Sequence, residues 1–349
     1  MKMPIEAVDL FCGVGGLTHG VTQAGISVVA GIDIDTTCEF AYRHNNGALF
    51  VLSDVGQYSS QKIINFYNPE SVKVLMGCAP CQPFSTLQKN EQEKSRESKW
   101  GLLYSFSEHV RNVNPEIVSM ENVPALQHEL VFKDFVKELE SLGYQVSYRV
   151  VDASDYGVAQ RRKRLLLLAS RLGKICLIEP THKDNKVTVR DVIGGLPEIE
   201  QGQTHCEDPL HRSAGLSEIN LQRIRASLPG GTWRDWDEAL LPECYQRESG
   251  KTYSSVYGRM KFDDVSPTLT TQFNRYGTGR YGHPTQDRAI SLREGAMLQS
   301  FPQDYKFVQD ENYNITDVAR QIGNAVPVRL GEVIGISIIN HLRGLGYNE

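Results

Sequence analysis

Val72-Lys73-Val74-Leu75-Met76-Gly77-Cys78-Ala79-Pro80-Cys81-Gln82-Pro83-Phe84-Ser85 joins an apolar, β-branched run to a loop punctuated by glycine and proline. The stretch reads as a buried strand delivering a loop at its carboxyl end. Pro80 and Pro83 fix φ on either side of Cys81 and stiffen the backbone there. Open α/β sheets place their chemistry at this end of a strand. Further along, Ile117-Val118-Ser119-Met120-Glu121-Asn122-Val123 repeats the plan with a carboxylate at the strand end. A nucleophile and an acid on neighbouring strand ends make a candidate reaction centre.

Working outward, short apolar runs alternate with amphipathic segments up to about residue 170. Strands are expected at Ala7–Phe11, Val28–Ile34, Leu49–Leu52, Val72–Met76, Ile117–Met120, Tyr144–Val151 and Leu165–Ala169. Between them, Val131–Leu142 places Val131, Phe132, Phe135, Val136, Leu139 and Leu142 near helical spacing. The alternation argues a mostly parallel sheet with helices on both faces. Residues 198–290 are richer in Gly, Pro, Ser, Thr, Arg and aromatics and suggest a smaller, loop-rich domain. Val328–Leu342 returns to helical spacing through Leu330, Val333, Ile334, Ile338 and Leu342. The expected division is therefore 1–190, 191–286, and 287–349 returning to complete the first domain. Ser85–Gly101, polar and charged, is long for a structureless loop and suits a lid.

The chain has 349 residues, 40% hydrophobic and 23% charged, as ordinary globular proteins do. No run approaches 18 consecutive apolar residues, so no membrane span is expected. The amino terminus, Met1-Lys2-Met3-Pro4-Ile5-Glu6, does not resemble a signal peptide. Seven cysteines without framework spacing favour a reducing, cytoplasmic setting. A net charge of −5 gives nucleic-acid binding no support, although a cleft can be basic on an acidic protein.

After the first strand comes Asp9-Leu10-Phe11-Cys12-Gly13-Val14-Gly15-Gly16-Leu17. Its glycines let backbone approach a ligand, but they lack the G-x-G-x-x-G spacing of a dinucleotide fold. Asp33 ends the second strand, where a carboxylate suits a ribose diol, and Asp54 follows the third. Together these point to a nucleoside-containing ligand, against tight turns as the plain alternative. Cys78-x-x-Cys81 lacks the second pair that a zinc site would need. His205-Cys206 with His211 reads better as a solvated loop than as a metal site, and no metal is expected. Gln160-Arg161-Arg162-Lys163-Arg164 is either a solvated basic turn or a phosphate grip in the domain that carries Cys81. Gln272-Phe273-Asn274-Arg275-Tyr276-Gly277-Thr278-Gly279-Arg280-Tyr281-Gly282-His283 has interleaved aromatics and arginines and no acid. It is a flexible loop or a nucleic-acid contact.

Taken in order, these motifs resemble those of the DNA (cytosine-5)-methyltransferases over nearly the whole chain except about 198–262. Asp9–Gly16 resembles the family's first motif, which cradles S-adenosylmethionine. Asp33 resembles its ribose acid, and Asp54 the acid that meets the adenine amino group. Pro80-Cys81-Gln82 is similar to the Pro-Cys-Gln motif of the nucleophile. Glu121-Asn122-Val123 is similar to the Glu-Asn-Val motif that holds the target base, and Gln160-x-Arg162-x-Arg164 to Gln-x-Arg-x-Arg. Arg190-Asp191-Val192-Ile193 with Leu196-Pro197 resembles the segment that braces the recognition domain. Gln321-x-Gly323-Asn324-Ala325-Val326-Pro327 resembles the last motif, which closes the cofactor pocket.

The resemblance implies a Rossmann-like, S-adenosylmethionine-dependent α/β domain with a target-recognition domain. Cys81, Glu121, Arg162 and Arg164 would be catalytic. Phe11, Gly13, Gly15, Gly16, Leu17, Asp33, Ile34, Asp54, Val55, Pro80, Asn324, Ala325 and Val326 would bind the cofactor, which leaves as S-adenosylhomocysteine. Double-stranded DNA would meet Ser85, Gln88, Arg162, Arg164, Arg234, Arg259, Gln272, Arg275 and Arg280. Ile34 stands where the family often has an aromatic, and Leu, Ile and Val can still sandwich adenine.

The chemistry accounts for these residue types. Cytosine C5 is a poor nucleophile until a thiolate adds at C6, and a duplex hides C6 until the base is flipped out. A monomer is expected, bacterial or phage-borne, beside a restriction endonuclease that shares its site without a stable complex. A tRNA cytosine-5 methyltransferase is the runner-up, but the Cys-Phe-Thr signature of that branch is missing. A catalytically inactive DNA-binding paralogue is disfavoured because Cys81 and Glu121 are both retained, and a nicotinamide oxidoreductase by the glycine spacing.

Overall fold

A computed structural model of the chain describes residues 3–80, 94–246 and 255–347. Among the described residues there are seven strands: β1 (Ile5–Leu10), β2 (Ser27–Asp33), β3 (Leu49–Leu52), β4 (Val72–Gly77), β5 (Ile117–Asn122), β6 (Gln145–Asp152) and β7 (Lys163–Ser170). The α-helices are α1 (Gly16–Gln23), α2 (Glu39–Asn45), α3 (Ser60–Ile64), α4 (Lys94–Val113), α5 (Leu130–Ser141), α6 (Val189–Ile193), α7 (Glu218–Ala226), α8 (Glu243–Gln246), α9 (Leu292–Leu298), α10 (Ile315–Asn324) and α11 (Val328–Gly344). The chain divides into two compact units. The first comprises Met1–Tyr156, Lys163–Pro180 and Val326–Glu349, and the second Gly157–Arg162 and Thr181–Ala325.

The first unit is a single sheet in the order β3-β2-β1-β4-β5-β7-β6. Strands β1 to β5 run parallel, and β7 is antiparallel to both β5 and β6. The strand order reverses between β1 and β4, which makes a topological switch point of the crevice outside their carboxyl ends. Period-two alternation gives the sheet two apolar faces. Val8, Leu10, Ala30, Ile32, Leu75, Val118, Met120, Leu165 and Leu167 pack with Leu103, Phe106 and Val110 of α4 and Phe132, Phe135 and Leu139 of α5. The alternate residues Ala7, Val74, Met76, Ile117, Leu166 and Leu168 are buried as well. Both faces are covered, as parallel sheets require.

Helix α11 returns to pack on α1. A Cβ on Gly331 would stand 2.9 Å from the Leu17 carbonyl oxygen, and one on Gly20 would collide with the Val328 carbonyl. Only glycine lets the two backbones approach so closely, and the contact fixes the helix that follows the glycine-rich loop. Residues 315–344 are long and apolar enough to pass as a membrane-span candidate, but they are mostly buried and form two helices interrupted at 325–327.

The second unit holds isolated β-bridges rather than named strands among its described residues. Ile224, Trp233, Trp236, Tyr245 and Tyr276 form an apolar cluster, with Trp233 stacked on Tyr245 at 4.7 Å. Glu294 caps α9 through Ser291 and takes two 2.7 Å bonds from the buried Arg288. Aromatic stacking and a paired buried charge organise here what alternating runs organise in the sheet.

Candidate active site

The carboxyl ends of β3, β2, β1, β4 and β5 lie side by side. Gly77 is in register with Leu10 and with Met120, and Asp33 with Leu52. This edge lines up Asp54, Asp33, the loop after Leu10, the loop after Gly77, and Glu121. The antiparallel direction of β7 brings its first residues to the same edge, where Leu165 pairs with Asn122.

At β1, Phe11 (φ 61°), Gly13 (φ 52°) and Gly15 (φ 86°) turn the chain sharply into α1. Gly15 is the N-cap of α1, and among the described residues nothing lies within 4 Å of a Cβ placed on Gly13, so the backbone there stands clear of them. Asp33 holds this loop: its Oδ2 accepts the Gly13 N–H at 2.7 Å and its Oδ1 the Asp35 N–H at 2.9 Å. Burial raises the Asp33 carboxyl above its ordinary value, and those two N–H groups pull it back. Ile34 is 68% exposed, an unusual position for isoleucine. Asp54 accepts the Gly56 N–H at 2.9 Å, and Val55 is buried beside it. An open glycine backbone, a strand-end acid and an exposed apolar side chain fit the ribose and adenine of S-adenosylmethionine. Leu17 lies buried in the first turns of α1. Below the loop, Asp9 accepts the Thr18 hydroxyl at 2.7 Å and is pushed up to about 7 by burial.

At β5, Glu121 pairs with Arg164 (Nε to Oε1, 2.8 Å), the two side chains 8% and 13% exposed. Asn122, absent from the candidates read from sequence, donates to the Ala79 carbonyl at 3.0 Å and accepts the Val123 N–H at 2.8 Å. It thereby ties the loop entering Pro80 to the end of β5, beside Glu121. Its position inside Glu-Asn-Val was the available signal, because a polar residue closing an apolar strand needs a partner. Cys81, Ser85 and Gln88 lie outside the described residues. Of the expected lid, 85–93 also lie outside them, while 94–101 begin α4. Lys, Arg and Glu are good helix formers, and that outweighs their polar, loop-like appearance. Burial pushes the Cys12 and Cys78 thiols up, and neighbouring carboxylates add to it: Asp9 and Asp33 for Cys12, Glu121 and Asp9 for Cys78. Both are held away from the reactive thiolate form.

Arg164 belongs to the first unit, and Gln160 and Arg162 to the second. Arg162 is 3% exposed and donates to the carbonyls of Leu269 (3.0 Å), Gly323 (2.9 Å) and Ala325 (3.2 Å). This is a brace for the last motif rather than an outward guanidinium. Gln160, fully buried, exchanges hydrogen bonds with Leu269 N and Gln299 Oε1, each 2.9 Å. Asn324 is exposed at the end of α10, Ala325 is half-buried, and Val326 is buried in the first unit. In the second unit Arg259 is 5% exposed, donates to Ile224, Ser227, His283 and Gln286 carbonyls and pairs with Asp287. Arg280 is half-buried and donates to Gly230 O at 2.6 Å. Arg234 is exposed over Trp233, and Gln272 and Arg275 are exposed.

The family model for C-5 cytosine-specific DNA methylase matches residues 5–340. The Type II methylase M.HgiDII of Herpetosiphon aurantiacus is 50% identical over 343 residues, 97% of this chain and 96% of its own. The Type II methyltransferase M.XorII of Xanthomonas oryzae pv. oryzae is 30% identical over 98% of this chain and 86% of its own. A solved structure described as a putative DNA modification methyltransferase encoded within an E. coli prophage superposes with a TM-score of 0.73. It covers 97% of this chain and 99% of its own at 23% identity, which shows a common fold.

Proposed function

The chain belongs to the C-5 cytosine-specific DNA methylase family, and on that footing we propose how its own residues methylate cytosine C5 in a specific duplex DNA sequence. The observation that carries the proposal is the Glu121–Arg164 pair on the carboxyl edge, beside a β4 loop that Asn122 ties in place. Cys81 is the attacking thiol. Cys12 and Cys78 are disfavoured by the upward shift of their thiols.

Asp33 and Asp54 would hold the ribose and adenine of S-adenosylmethionine, Ile34 would offer the ring an apolar contact, and the backbone around Gly13 would admit the rest of the molecule. That cofactor supplies an electrophilic methyl on a sulfonium. A thiolate from Cys81 forms a bond to C6 of the flipped-out base, which makes C5 enamine-like. Glu121, oriented by Arg164, hydrogen-bonds N3 and shares a proton with it as negative charge builds on the ring. As C5 bonds the methyl carbon the sulfonium–methyl bond breaks and S-adenosylhomocysteine would leave; loss of the C5 proton to a base then drives out the Cys81 thiolate and restores the aromatic ring. Arg162 acts indirectly, by holding the backbone at 323–325.

Target choice is assigned to about 191–286, where the exposed Arg234, Gln272 and Arg275 are the strongest candidates for DNA contact. The names of the Type II relatives are the ground for proposing a companion restriction endonuclease that cuts the same DNA site; the enzyme itself is proposed to act as a cytoplasmic monomer, without a stable complex with that endonuclease. Methyl transfer from labelled S-adenosylmethionine to duplex DNA and to tRNA, followed by bisulfite mapping, tests the proposal. Label in one cytosine context of DNA is expected, and label confined to tRNA would refute it.

A further inference from the structure

Helix α4 carries a buried histidine that the mechanism above does not use. His109 is 4% exposed, and its Nε2 lies 2.8 Å from the Val55 carbonyl oxygen. A carbonyl only accepts, so Nε2 carries the hydrogen. Nδ1 lies 2.8 Å from Ser60 Oγ, and that oxygen in turn accepts from Asn112 Nδ2 at 3.3 Å. Ser60 therefore has its own hydrogen available for Nδ1, and the ring is fixed at both nitrogens. The same helix face supports the turn a second time: a Cβ on Gly56 would sit 3.3 Å from Ser105 Oγ, one helical turn before His109. Asp54 closes this turn by accepting the Gly56 N–H. The turn after β3 is thus clamped by a side chain that arrives 54 residues later in the chain. Burial alone would be served as well by phenylalanine, whereas this imidazole spends a donor on the peptide next to the acid.

We propose that His109 is a positioning residue for adenine recognition, holding the Asp54–Val55 peptide at the angle that lets Asp54 discriminate the 6-amino group. The proposal rests on the assignment of Asp54 to adenine. It is tested by calorimetry with S-adenosylhomocysteine and with S-inosylhomocysteine, which has a 6-oxo group in place of the amine. The wild type should prefer the adenine compound. His109→Phe should weaken S-adenosylhomocysteine by about tenfold, the worth of one ordinary hydrogen bond, and bring the preference towards unity. Binding of duplex DNA should be unchanged. His109→Gln, which keeps a donor, should restore most of the preference, and Ser60→Ala, which frees the ring at Nδ1, should lose part of it. An undiminished preference in His109→Phe would overturn the proposal. So would equal weakening in His109→Phe and His109→Gln with the preference kept, since that outcome is packing alone. If His109→Phe does not fold, an undiminished preference in Ser60→Ala overturns it. Asp54→Ala separates the two layers: a preference that survives there refutes the adenine assignment itself. A preference lost in Asp54→Ala and kept in His109→Phe refutes only the role of His109.

Discussion

Replacing Arg164 with Met should damage the enzyme twice, in stability and in rate. Arg164 Nε lies 2.8 Å from Glu121 Oε1, and the side chains are 13% and 8% exposed. At that distance and an effective dielectric constant of about 20, the attraction is about 6 kcal/mol, most of it offsetting the desolvation of two charges. Removing one partner strands the other, which costs about 3–5 kcal/mol for a fully buried pair. The residual exposure of this pair puts Arg164→Met near the lower end, about 3 kcal/mol. Methionine keeps the packing of the arginine stem, so the loss reports the charge. Urea unfolding of wild type, Arg164→Met, Glu121→Gln and the double mutant closes a cycle whose coupling term should be about 2 kcal/mol. Methyl transfer by Arg164→Met should fall at least about tenfold, because a displaced carboxyl no longer meets N3 in the geometry that proton sharing needs. Cofactor affinity should be unchanged. A stability change within about 0.5 kcal/mol, with a coupling term near zero, would refute the reasoning.

Three further outcomes are expected. Asp33→Ala should weaken S-adenosylmethionine binding by about tenfold to a hundredfold, since charge-assisted bonds are worth roughly 1.5–3 kcal/mol each, and equal affinity by calorimetry would refute the ribose role. The Asp9 carboxyl is raised from 3.8 to about 7, so its contribution to stability is full below about pH 4 and is lost as pH rises through about 7; Asp9→Asn should flatten the urea-derived stability profile across that window, and an unchanged profile would contradict the assignment. Arg275→Ala should cost about 1–3 kcal/mol in DNA affinity and relax one position of the target if it reads a base, or weaken all sequences alike and flatten the salt dependence if it holds phosphate; bisulfite mapping with salt-dependent binding separates these, and no effect on either removes Arg275 from the DNA surface.

All seven strands lie where apolar, β-branched runs were visible in the sequence, and α11 where Leu330, Val333, Ile334, Ile338 and Leu342 showed helical spacing. Local pattern was enough there, because each element buries a periodic face. The direction of β7 was not legible, since alternation is the same in parallel and antiparallel strands, yet that direction brings Arg164 to Glu121. The inward placement of Arg162 and Arg259 was hidden for a related reason. Residue type does not show whether a guanidinium finds carbonyls within its own unit or faces solvent. Asn122, although inside a quoted motif, and His109 were not read as site residues because neither has a period and their partners lie 43 and 54 positions away. Residues 94–101 looked like loop because charge is shared by loops and by exposed helical turns.

Cys81 as the attacking thiol is the centre of the account, and a duplex carrying 5-fluorocytosine at the mapped target tests it most directly. Fluorine does not leave C5 as a proton does, so the thioether to C6 should persist after methyl transfer. The wild type should form a denaturation-resistant protein–DNA complex in the presence of S-adenosylmethionine, with the modified peptide containing Cys81. Cys81→Ser should form none and should lose methyl transfer. A complex that maps to Cys12 or Cys78, or full C5 methylation by Cys81→Ser, would contradict it.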